Sequence, residues 1–70
     1  MTISEKIKLL LGRRKKTITA LAFELGISRQ YMTTKLKEGR FTLSELQEIA
    51  KILDCTFDYG FIMNDTKEKL

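Results

Sequence analysis

The sequence predicts a small all-α domain, and three observations carry that prediction. Helix-start signals recur at Thr2, Thr17, Ser28 and Thr42. After three of these starts, apolar residues return at helical spacing, as Ile3, Ile7, Leu10 and Leu11 do after the first. Gly26 and Gly39 then stand where a helix that is ending needs a residue tolerant of the left-handed conformation. Seventy residues leave room for one domain at most.

Thr2-Ile3-Ser4-Glu5 has the S/T-x-x-E form of a capping box, and the first helix should run from about Ile3 to Leu11 or Arg13. The basic run Arg13-Arg14-Lys15-Lys16 then fills a turn, either solvated or approaching a polyanion. Thr17 caps a second helix with Ile18, Leu21, Ala22 and Leu25 on its buried stripe. Phe23 lies off that stripe, as an ordinary exposed aromatic or an interface residue. Gly26 ends this helix and Ser28 caps a third, buried through Met32 and Leu36 and terminated by Gly39. Thr42-Leu43-Ser44-Glu45 is a second capping box, from which Leu43, Leu46, Ile49, Ala50 and Leu53 carry a fourth helix to about Asp54.

The next segment supports two patterns. Phe57, Phe61 and Ile62 suit a short fifth helix capped by Thr56, which is the preferred reading and makes a five-helix domain over residues 1–63. Cys55, Phe57, Tyr59 and Phe61 also alternate with polar or small residues at strand spacing, and Gly60 weakens a helix interior, so a strand stays open. Tyr59, Phe61, Ile62 and Met63 should pack in the core, with a dimer contact as the sharper reading. Residues 64–70 form a polar tail expected to fray.

Composition excludes several classes. A single cysteine and no histidine rule out an intramolecular disulfide and the usual structural zinc site, and Cys55 is expected to be a small core residue. No run approaches the roughly 18 apolar residues that span a membrane, and no signal-peptide pattern opens the chain, so a cytoplasmic protein is expected. No phosphate-binding glycine loop, carboxylate pair or nucleophile with a base partner is present, so neither an enzyme nor a cofactor, metal or small-molecule ligand is expected. The charge is uneven. Residues 1–40 hold ten Lys/Arg against three Asp/Glu, and residues 41–70 hold three against six. Such asymmetry suggests a basic face for a polyanion and an acidic back.

The second and third helices, broken by Gly26-Ile27-Ser28, form a helix-turn-helix candidate, a motif whose second helix enters the DNA major groove. At about 100° per residue, Gln30, Thr34 and Lys37 fall opposite the Met32–Leu36 stripe, with Tyr31 and Thr33 flanking them. Arg29 lies nearer the core side but projects past the helix end as its first residue. Arginine bonds guanine O6 and N7, glutamine bonds adenine N6 and N7, and threonine methyls meet thymine methyls. The N-terminal amides beside Thr17 and Ser28 offer donors to phosphate.

"TITALAFELGISRQYMTTKL" resembles the helix-turn-helix of the phage lambda repressor and Cro-like, XRE-type DNA-binding domains, through Thr17, Leu21-Ala22, Leu25-Gly26-Ile27-Ser28, Arg29-Gln30 and Met32. "FTLSELQEIAKILDC" is similar to that family's fourth helix, so the likeness runs from about Thr2 to Phe61. It implies five helices, the third in the major groove of double-stranded DNA, and a homodimer on a two-fold operator. It also implies base contacts from Arg29, Gln30 and Thr34, with Tyr31 and Thr33 nearby. Phosphate contacts would come from Thr17 and Ser28 at the helix starts, and from Lys35, Lys37, Arg40 and the Phe41-Thr42 amides beyond the third helix. Ile18 departs from the pattern, standing where the family often has a phosphate-holding glutamine. The interval from Gly26 to Gly39 is one residue longer than usual, which shifts the register of Lys35, Lys37 and Arg40.

The expected function is a stand-alone, sequence-specific repressor of phage, plasmid or bacterial origin. The alternatives are an antitoxin- or antirepressor-like protein-interaction module that keeps the fold, and an architectural or RNA-binding role.

Overall fold

The capping signals are realised as hydrogen bonds at all four helix starts. In the computed structural model, which describes residues 1–58 and 60–69, α1 spans Ile3–Arg13, α2 Ile18–Leu25, α3 Arg29–Glu38 and α4 Leu43–Ile52. The hydroxyls of Thr2, Thr17, Ser28 and Thr42 each accept the amide three residues on, and at Thr2 and Thr42 the glutamate returns the bond, closing both capping boxes. Gly26 and Gly39 take φ of 75° and 70°, the left-handed conformation in which a side chain is strained.

The stripes of the helices meet in one core. Ile7, Leu10, Leu21, Met32, Ile49 and Leu53 are fully buried, and Leu36, Ala22 and Ala50 join them. Ser4 adds a polar fastening: its hydroxyl donates to the Leu36 carbonyl at 2.6 Å, supplying a partner to an acceptor left over in the last turn of α3. One such buried bond contributes about 1 kcal/mol, and here it ties α1 to the end of α3.

The chain after α4 departs from the all-α expectation. The preferred fifth helix is absent: Cys55–Phe57 (β1) and Phe61–Met63 (β2) pair antiparallel, with Thr56 opposite Ile62. The strand pattern left open is the one the chain adopts. Asp54 takes φ of 54°, a conformation aspartate tolerates better than most residues, and turns the backbone out of α4. The hairpin then sends Cys55, Phe57, Phe61 and Met63 to one side, where Phe61 is wholly buried and stacks edge-on against Phe57 at 5.2 Å. A helix over so few residues would have carried Gly60 in its interior, at a cost of about 1 kcal/mol, and would have had few of its own bonds to set against nucleation. Burial pushes the Cys55 thiol up, with Arg14 partly offsetting it, so it stays a protonated core residue.

Residues 64–69, expected to fray, are instead tied back to the fold. The Met63 amide donates to the Glu68 carbonyl, and the Asn64 side chain bridges Thr56 and Asp54. Tyr59, expected in the core, and Leu70, expected to fray, lie outside the described residues. No helix is long and apolar enough to cross a membrane among them.

Candidate nucleic-acid interface

The geometry of the α2–α3 corner follows from the "LGIS" stretch. The Gly26 amide bonds the Phe23 carbonyl and the Ile27 amide bonds the Ala22 carbonyl, the paired bonds of a Schellman stop. Ile27 then packs against the core, and Ser28 opens α3 by accepting the Tyr31 amide at 3.0 Å. The two helices are thus joined by a short break with no freedom to spare. Met32 and Leu36 hold α3 down, which leaves Arg29, Gln30, Tyr31, Thr33, Thr34 and Lys37 exposed.

These exposed side chains differ in what they touch. The Thr34 hydroxyl donates to the Gln30 carbonyl at 3.0 Å, which leaves its methyl for outside contact. Arg29 and Lys37, together with Arg40 just past the helix, have no ion-pair partner among the described residues. Thr17 and Ser28 use their oxygens to accept backbone amides, so each keeps a hydroxyl proton to donate outward. Phe41 is half-buried against the core, and the Thr42 amide already donates to Glu45 Oε1 at 2.8 Å inside the capping box. Ile18 packs partly on the core.

Arg13, Arg14, Lys16 and Lys35 are differently placed. Arg14 is a bracket: its guanidinium donates to the Leu53 and Asp54 carbonyls at 2.8 and 3.0 Å and forks onto the Asp65 carboxylate. That fork holds the Asp65 carboxyl down at about 2. Arg13 pairs with Glu68 and lies near Met63, and Lys16 pairs with Glu24 at 2.7 Å. Lys35 pairs with Glu45 at 2.9 Å. The Thr42 amide first, and the Lys35 ammonium second, hold the Glu45 carboxyl below its usual range. Sequence reasoning missed Ser4, Arg14 and Glu45 as positioning residues, because their partners beyond the local caps are distant along the chain. No cluster of three or more metal-ligating side chains occurs among the described residues.

A family model for the Cro/C1-type HTH DNA-binding domain matches residues 6–58, well over half of the chain. The chain belongs to that family. No curated protein and no solved structure matches it. The matched span takes in most of α1, all of α2 to α4 and β1, and stops short of β2 and the tail. Membership in the Cro/C1-type HTH family makes DNA the implied partner, and the α2–α3 corner lies inside the matched span.

Proposed function

We propose that this Cro/C1-type protein is a sequence-specific transcriptional repressor that occupies a two-fold operator as a homodimer and blocks an overlapping promoter sterically. The observation that carries the reading is the outward face of α3. Gln30 and Thr34 are exposed at its centre, and Arg29, Lys37 and Arg40 stand unpaired, among the described residues, near its ends. Arg29, Gln30 and Thr34 read base edges in the major groove, with Tyr31 and Thr33 beside them. Thr17 and Ser28 donate to phosphates from the starts of α2 and α3, and Lys37, Arg40 and the Phe41 amide meet the backbone beyond α3, the Thr42 amide being held by Glu45. The setting is a bacterial cell, phage or plasmid, where occupancy is controlled by protein concentration and dimerisation.

Selection from a pool of randomised duplexes tests this reading. Enrichment of a palindromic site with half-sites about 10 base pairs apart is expected. A pool that stays unenriched at low salt contradicts it.

A protein-interaction role has one observation in its favour. Phe23 on α2 is 84% exposed and Leu43 on α4 is 61% exposed, large apolar side chains open to a partner. An antitoxin-like module would keep its partner affinity as salt rises, whereas a phosphate-neutralising DNA binder weakens steeply.

A further inference from the structure

Lys35 differs from every other cation on or near α3. Its ammonium lies 2.9 Å from Glu45 Oε2 and faces two rings, Tyr31 at 5.4 Å and Phe41 at 5.5 Å from their centroids. Its side chain is only 15% exposed. Glu45 is itself fixed, because its other carboxylate oxygen accepts the Thr42 amide in the capping box of α4. A continuous set of contacts therefore runs from the start of α4 through Glu45 and Lys35 to the Tyr31 ring. Tyr31 stands one helical turn before Lys35 on the same edge of α3, half exposed beside Gln30.

We propose that Lys35 is a positioning residue for base readout, holding the Tyr31 ring at the edge of the groove-facing surface rather than anchoring a phosphate. The inference rests on the reading of α3 as the DNA-reading helix. An ammonium already neutralised by a carboxylate and shielded by two rings gains little from a phosphate. To reach one it would abandon both ring contacts and leave Glu45 unpaired. A tyrosine ring that loses the cation beside it is freer in orientation, so its discrimination between bases falls while the phosphate count stays the same. Lys37 and Arg40 carry no such restraints and keep the electrostatic role.

The test uses the duplex selected by the wild-type chain together with its single-base variants, with binding measured from 50 to 200 mM salt. Lys35→Met keeps the stem and removes the charge, Lys35→Arg keeps a cation over the rings, and Glu45→Gln keeps an acceptor for the Thr42 amide while breaking the ion pair. Lys35→Met and Glu45→Gln should leave the log–log salt slope unchanged and lose roughly two- to fivefold of preference at the base pair that Tyr31→Ala also alters, the range expected of an exposed cation–π contact. Lys35→Arg should retain the preference. A slope flattened by about 0.9 in Lys35→Met would identify a phosphate anchor and overturn the inference. An unchanged preference in both charge-removing variants would overturn it as well. Should Lys35→Met fail to fold, Glu45→Gln decides alone. A wild-type chain that enriches no duplex at all sinks the regulator reading itself, an outcome distinct from either of these.

Discussion

Two stretches of this chain look alike on paper: the run Arg13 to Lys16 between α1 and α2, and the cations Arg29, Lys37 and Arg40 that flank the exposed face of α3. The structure separates them. Arg13, Arg14 and Lys16 are committed to Glu68, Asp65 and Glu24, and Arg14 also satisfies two carbonyls at the end of α4. The α3 cations face outward without ion-pair partners among the described residues. A basic run in a sequence reports charge, whereas availability to an outside polyanion depends on whether acidic partners elsewhere in the fold have already taken it. Here the tail between Asn64 and Lys69 carries the two acids that claim Arg13 and Arg14.

The contrast can be broken experimentally, and the largest effect should come from Arg14. Arg14→Met strands the Leu53 and Asp54 carbonyls and releases Asp65, and should lower Tm in thermal unfolding by about 5–10 °C while leaving the salt slope of DNA binding as it was. A changed slope with an unchanged Tm would reverse the roles assigned to the two regions. Gln30→Ala should behave in the opposite way. Its Tm stays put, and in a binding titration it loses about 1–3 kcal/mol, concentrated at one base pair of the site. Smaller again is Lys37→Ala, expected to weaken all duplexes alike and to reduce the salt slope by about 0.9.

The acid side of the stability curve gives the smallest effect. Asp65 is held at about 2 by Arg14, and Glu68 is lowered chiefly by Arg13 and Glu45 chiefly by the Thr42 amide. A depressed carboxyl adds stability above its unfolded pKa, near 4, and loses it as pH falls toward the folded value. Melting temperature should therefore drop between about pH 4 and 2, and Asp65→Asn should flatten part of that drop. An Asp65→Asn chain with the wild-type pH profile would show that the Arg14 fork contributes nothing to stability.

The helices and the exposed face of α3 were legible in the sequence because their determinants are local. A hydroxyl at Thr2 or Thr42 meets an amide three residues away, and Met32 and Leu36 reveal the buried stripe by spacing alone. The hairpin was ambiguous for a specific reason. Phe57 and Phe61 are four residues apart, which places them on one face of a helix and equally opposite one another in an antiparallel strand pair. Period-two patterning from Cys55 and the left-handed turn at Asp54 decided between these, and only the alternation was visible in advance. Ser4, Arg14 and Glu45 were not legible as positioning residues. Ser4 and Leu36 are 32 residues apart, Arg14 and Asp65 are 51 apart, and nothing in either local neighbourhood marks the pairing. The exposed face of α3 was therefore readable, and the separation of free from committed cations required the fold.

The most direct test of the central claim, that the outward face of α3 meets DNA while the α1–α2 turn serves the fold, is the salt dependence of binding to the selected duplex. It should be measured side by side for the wild type, a Lys37→Ala, Arg40→Ala chain and an Arg13→Met chain. The account predicts a steep linear fall of log K with log salt, flattened by about 0.9 for each α3-side cation removed and unaltered by Arg13→Met. A slope that falls with Arg13→Met and is indifferent to Lys37 and Arg40 would contradict it.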